Sequence, residues 1–96
     1  MGTSMELELR LFATFREIAG GKEHTLSVEE GASVGDVLAT LEADHDDLEG
    51  QLLDGGALRP QLSVLKNGRD VVHQKGAETP LEDGDTLSVF PPVAGG

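Results

Sequence analysis

The sequence predicts an α+β domain of two layers, with one amphipathic helix across one face of a mixed sheet of about five strands. Three observations predict it. Apolar and polar residues alternate from Met5 to Ala13, a helical stripe runs through Val34, Val37, Leu38 and Leu41, and paired strand patterns bounded by turn residues lie on either side of that stripe.

In the first segment Leu7, Leu9 and Leu11 alternate with Glu6, Glu8 and Arg10, the period of two of a strand with one buried face. Thr14 followed by Glu17 fits a capping box, Phe15, Ile18 and Ala19 sit at helical spacing, and Gly20-Gly21 supplies the stop, so a turn or two of helix is expected there. His24, Leu26 and Val28 then alternate with Glu23, Thr25 and Ser27, which returns the chain as a second strand before Gly31. Ser33 and Asp36 repeat the capping-box pattern at the head of the principal helix, over about residues 33–45. A further short turn through Leu48, Leu52 and Leu53 is expected to end at Gly55-Gly56, with Pro60 at the edge of the next strand. Leu62 to Lys66, Asn67-Gly68 and Arg69 to His73 read as a hairpin, because Asn-Gly suits the positive φ angles of a type I′ turn. Glu82 to Asp85 is a turn and Thr86 to Phe90 the last strand, expected to pair with the first in the sheet centre. Met1 to Ser4 precede a second methionine and read as an expression remnant; residues 5–92 form the domain and 93–96 a flexible tail.

A chain of 96 residues holds one domain and one core, and with three phenylalanines as its only aromatics that core is aliphatic. Acidic residues outnumber basic ones 18 to 7, for a formal charge of -11, which repels nucleic acid and anionic lipid and favours basic partner surfaces. Such a balance also suits a cytoplasm at high salt, where self-repulsion is screened. No cysteine is present, so thiol chemistry must come from a partner. Neither a membrane span nor a signal peptide is written in the sequence, and a monomer in the cytoplasm is expected.

The closing residues, Phe90-Pro91-Pro92-Val93-Ala94-Gly95-Gly96, are the part that no packing requirement explains. Two prolines stop the strand and favour an extended chain, after which side chains shrink to nothing. Four residues past Pro92 span roughly 13 Å, enough to thread the Gly96 carboxylate into an enclosed site on another protein, and Gly95 and Gly96 fit a narrow channel. A carboxylate must be activated before a nucleophile attacks it. The chain has no phosphate-cradling loop, since Gly20-Gly21-Lys22 trails a helix and lacks the upstream glycine, so ATP falls to a partner.

Leu11-Phe12-Ala13, Arg16-Glu17-Ile18-Ala19-Gly20, Ser33-Val34, Asp83-Gly84-Asp85 and the ending Phe90 to Gly96 together resemble the small, sulfur-carrier subunit of molybdopterin synthase and the archaeal small ubiquitin-like modifier proteins. The stretch Val64 to Arg69 is more similar to the archaeal modifiers. The resemblance runs from Met5 to Gly96 and implies the ubiquitin-like β-grasp fold. It implies a protein substrate in place of an enzyme: an E1-like partner uses ATP and Mg to adenylate Gly96, with no cofactor bound by the chain itself. The adenylate is then joined to lysines of target proteins as an isopeptide, or becomes a thiocarboxylate for molybdenum cofactor synthesis or tRNA thiolation. Implied partners are the activating enzyme, the molybdopterin synthase large subunit, target lysines and a deconjugating protease. Two alternatives stay open, a dedicated small subunit of molybdopterin synthase and a non-covalent module with an idle tail.

Phe90 is opposite in parity to Leu87 and Val89, which turns it from the core toward a partner or onto a neighbouring loop, and Leu65 and Val72 are candidates to extend a patch that leads into Pro91, Pro92, Val93 and Ala94. Lys22, Lys66 and Lys75 are candidate isopeptide acceptors or plain surface lysines. Asp44-His45-Asp46-Asp47 reads as a solvated helix end and Asp83-Gly84-Asp85 as a turn, and no metal site is expected. His24 and His73 have no nucleophile or paired carboxylate at useful spacing.

Overall fold

A computed structural model describes residues 4–92. Strand β1 (Ser4–Leu11) begins one residue before Met5, with Ser4 opposite Glu29 of β2 (Glu23–Glu29) in an antiparallel pair. Between them lies the short helix α1 (Thr14–Ala19), stopped at Gly20 in the left-handed conformation. The capping box expected at Thr14 does not form. The cap is Ala13 at φ 55, no side chain bonds the helix start, and Thr14 is already helical. The sharp turn out of β1 is made by the backbone before the threonine is reached.

Helix α2 (Val34–Asp44) carries the expected capping box, in which Ser33 Oγ accepts from the Asp36 amide and Asp36 Oδ2 accepts from the Ser33 amide. Its stripe of Val34, Val37, Leu38 and Leu41 is buried. The stretch after it departs from expectation. Leu48 ends a 3-10 turn, and Gly55-Gly56 joins a two-stranded ribbon, β3 (Leu53–Asp54) with β4 (Ala57–Leu58), where the sequence suggested the end of a helical turn. Both glycines have positive φ, as a type I′ hairpin requires. Glu42 anchors the segment by accepting the amides of Leu52 and Leu53.

Strand β5 (Ser63–Lys66) turns at Asn67-Gly68, both at positive φ, into β6 (Arg69–Asp70). The second arm is shorter than Arg69 to His73, because the Asp70 carboxylate accepts the Val72 amide and starts a 3-10 turn. A further 3-10 turn at Gly76–Glu78 packs on α2, joined by the Val34 amide donating to the Thr79 carbonyl. Strand β7 (Thr86–Phe90) runs parallel to β1 and antiparallel to β5, giving the order β2-β1-β7-β5-β6 with α2 across one face. This is the β-grasp arrangement. Among the described residues no helix is long and apolar enough to cross a membrane.

A buried polar cluster fixes the start of β7. Asp85, 9% exposed, accepts the Asn67 side-chain amide (2.9 Å) and the Glu82 backbone amide (2.8 Å), with Lys66 Nζ at 3.6 Å. Asn67 in turn accepts the Thr86 amide at 2.9 Å. Burial pushes the Asp85 carboxyl upward, but the bonds from Asn67 and Glu82 and the Lys66 charge outweigh it and hold the group below its ordinary value. A carboxyl depressed in the fold contributes stability in full above its unfolded pKa and loses it as pH falls through the folded value. Asp85→Asn is therefore expected to lower stability at neutral pH by about 1–3 kcal/mol, with the difference from the parent shrinking in acid. Urea titrations at neutral pH and below the ordinary carboxylate range check this; a pH-independent difference contradicts it.

Few favourable pairs offset the charge of -11. Among the described residues only Arg10–Glu8 and Lys66–Asp85 come within ion-pair distance, each at 3.6 Å. Shortening the Debye length from about 10 Å at 0.1 M salt to about 3 Å at 1 M is expected to raise the melting temperature, by roughly 4–8 °C for each kcal/mol of repulsion removed. Circular dichroism melts across a KCl series measure it, and a flat series contradicts it.

Candidate functional site

The chain leaves the fold from a central strand. β7 lies between β1 and β5, with Leu87 and Val89 buried against the helix layer and Ser88 and Phe90 on the opposite face. Pro91 is half-buried and Pro92 exposed, so the root of the tail reaches the surface at the end of a strand paired on both sides. Val93, Ala94, Gly95 and Gly96 lie outside the described residues.

Phe90 turns away from the core, as its parity requires, and meets Phe12. Their rings stack at 4.2 Å between centroids and 10° between planes. The parallel register explains the meeting: Leu11 is opposite Val89, so the residues one step beyond each fall side by side, and the Phe12 amide donates to the Val89 carbonyl at 3.3 Å. Lys22 Nζ sits 5.1 Å from the Phe12 ring centroid, within cation–π range. The outcome is an aromatic platform with a cation on one side, directly before the two prolines. Phe12 was legible in the sequence only through the register of two strands far apart in the chain.

Leu65 is half-buried and shares the outer sheet face with Phe90, opposite Ser88, whose other neighbour is Arg10. Val72 is 66% exposed and lines a shallow depression with Gly55 to Leu58 and Lys75 to Glu78, whose lining includes neither Leu65 nor Phe90. The lysines differ. Lys66 is held by the Pro80 carbonyl at 2.8 Å and by Asp85, Lys22 lies over Phe12, and Lys75 is exposed.

Among the described residues no three His, Cys, Asp or Glu side chains come together as metal ligands, and His45 merely ends α2. His24 Nε2 lies 2.9 Å from the Gly21 carbonyl, closing the turn between α1 and β2.

The ThiS family model matches residues 9–96, which includes the platform and the whole tail. The chain belongs to the ThiS family. Within and around this family it is 59% identical over 92 residues to small archaeal modifier protein 3 of Haloferax volcanii, covering 96% of this chain and all of that one. It is 30% identical over 92 residues to the molybdopterin synthase sulfur carrier subunit of Chlamydomonas reinhardtii, again over 96% of this chain and the whole of the relative. Among solved structures, a Haloferax volcanii protein determined in solution superposes with a TM-score of 0.91 at 58% identity, covering 97% of this chain and 88% of that one. The family match runs through Gly96, and both curated relatives are matched over their whole length.

Proposed function

We propose that this chain is a ubiquitin-like modifier and sulfur carrier whose reactive group is the Gly96 carboxylate. The observation that carries the reading is the tail's setting. A stretch that narrows to Gly95-Gly96 follows a central strand fixed on both sides, beside a platform of Phe12, Phe90 and Lys22, in a family match that runs through Gly96. Its identity to a small archaeal modifier protein and to a sulfur carrier subunit supports both outcomes for the same carboxylate.

In the proposed reaction an E1-like enzyme binds ATP and Mg. A Gly96 carboxylate oxygen attacks the α-phosphorus, pyrophosphate leaves, and an acyl-adenylate forms. Attack by hydrosulfide delivered by the partner expels AMP and, after loss of a proton, leaves a thiocarboxylate; attack by a lysine amine expels AMP and leaves an isopeptide after loss of a proton. The chain supplies the acyl group, and its partners supply activation and nucleophile. Phe90, Pro91, Pro92, Val93 and Ala94 provide contact surface at the enzyme's entrance, with Leu65 continuing it across the sheet.

Intact mass spectrometry of the protein recovered from cells tests the reading. The expected results are a population with one oxygen at Gly96 replaced by sulfur, and a Gly-Gly remnant on lysines of other proteins after proteolysis. A protein that always carries extra residues beyond Gly96, or never carries either product, overturns it. A stable stoichiometric complex with a molybdopterin synthase large subunit, with no lysine remnants, assigns the chain to that enzyme alone.

A further inference from the structure

The sheet has two edges, β2 and β6, and they are unequal. β6 is two residues long and runs into a 3-10 turn, whereas β2 spans Glu23–Glu29. We propose that the β2 edge receives an extended cationic peptide segment of another protein as a sixth strand.

The phase of the ladder leaves the required groups free. The Leu11 amide donates to the Lys22 carbonyl at 2.7 Å, while Glu8 and Glu6 bond in the other direction, to Asp85 and Gly84. The odd-numbered residues of β1 therefore bond β2, so their partners His24, Leu26 and Val28 face inward along the ladder. The amides and carbonyls of Thr25 and Ser27 point out of the sheet, and no backbone partner meets them among the described residues. The usual protections of an edge are missing from 24–28, which holds no proline and no lysine.

A groove beside that edge gives the added strand a seat. Val28 of β2 and Val37 and Thr40 of α2 line it, and Glu29, Glu30 and Asp36 stand around it with no lysine or arginine. Leu26 and Val28 are half-buried at the core margin, so inward side chains of an added strand complete their burial. Main-chain bonds give such a strand its affinity and alternate side chains its specificity. Charge decides between occupants. A second copy pairing antiparallel about Leu26 sets Glu23 opposite Glu29 twice, like charges that destabilise a pair. A strand with lysine or arginine at its ends meets those carboxylates favourably. The groove lies at the Glu29 end of β2, whereas the tail root at Pro91 and Pro92 lies at the end near Lys22, so a peptide here does not cover the tail root.

The probe is a capped peptide, Lys-Val-Thr-Val-Thr-Val-Arg, with a counterpart carrying glutamate at both ends, added to the full chain at the lowest salt that keeps it folded. Amide exchange at Thr25 and Ser27 is expected to slow in proportion to occupancy, while the amides of Leu26 and Val28, already in the ladder, change little. Glu29→Lys combined with Glu30→Lys, both exposed positions, is expected to weaken binding about tenfold. Ser27→Pro removes one outward donor, and removal of Gly95-Gly96 leaves binding unchanged. Binding without protection of Thr25 and Ser27 overturns the proposal, as does equal binding of the acidic counterpart. A concentration-dependent dimer that protects the same amides without peptide assigns the edge to a second copy and also overturns it.

Discussion

Removal of Gly95 and Gly96 is expected to abolish adenylate formation by the cognate activating enzyme while leaving the melting temperature unchanged. Two extended residues measure roughly 7 Å, so truncation withdraws the carboxylate by that distance from the α-phosphorus. A misplacement of 1 Å already costs on the order of 100-fold in a positioned reaction, and no side chain near the tail root supplies a second carboxylate at the end of a thin chain. ATP–pyrophosphate exchange measures the loss, which is expected to exceed about 100-fold. Stability is insulated from the change because the core lies in β1, α1, α2, β5, β7 and the turns between them, and among the described residues none past Val89 belongs to it. Exchange at the parent rate by the truncated chain removes the reactive end from Gly96. Replacing Gly96 with alanine separates length from width: the carboxylate keeps its reach, so a loss seen there reports the narrowness of the channel.

The elements legible in the sequence were those whose signal is local and repeated. β1 and β2 alternate over enough residues to fix a buried face, α2 announces its start with Ser33 and Asp36, and Asn67-Gly68 allows few conformations other than the one it adopts. The central pairing of β7 with β1 followed from their shared apolar character. The ribbon at Leu53–Leu58 leaves no pattern in the sequence because its strands are two residues long, too short for any period, and Gly55-Gly56 serves equally as a helix stop and a hairpin turn. Thr14 carries a cap signature without capping because Ala13 adopts φ 55, a conformation that an alanine side chain does not signal. The site was half legible. Parity placed Phe90 on the outer face, but its partners Phe12 and Lys22 arrive through a register that joins the two ends of the chain.

Phe15→Ala is expected to be the most damaging single change to the fold, at about 3–5 kcal/mol. The three phenylalanines have divided roles. Phe12 and Phe90 stack outside the sheet, which leaves Phe15, fully buried, as the one aromatic side chain in an otherwise aliphatic core. Helix α1 packs on β1 and on the turn at Leu48, elements too well tied to collapse into the space a benzyl group leaves. A domain of this size has roughly 5–14 kcal/mol in total, so the loss takes a large share and leaves the chain close to unfolding in dilute salt. Phe90→Ala, at a half-buried stack, is expected to cost only about 1 kcal/mol. Guanidinium titrations at fixed KCl compare the two, and equal losses contradict the division. Adenylation assays run where both variants are folded complete the contrast. Phe15→Ala, whose side chain lies in the core and not in the platform, is expected to keep more of the parent rate than Phe90→Ala, which reacts more slowly because the platform from which the tail departs has lost one of its two rings.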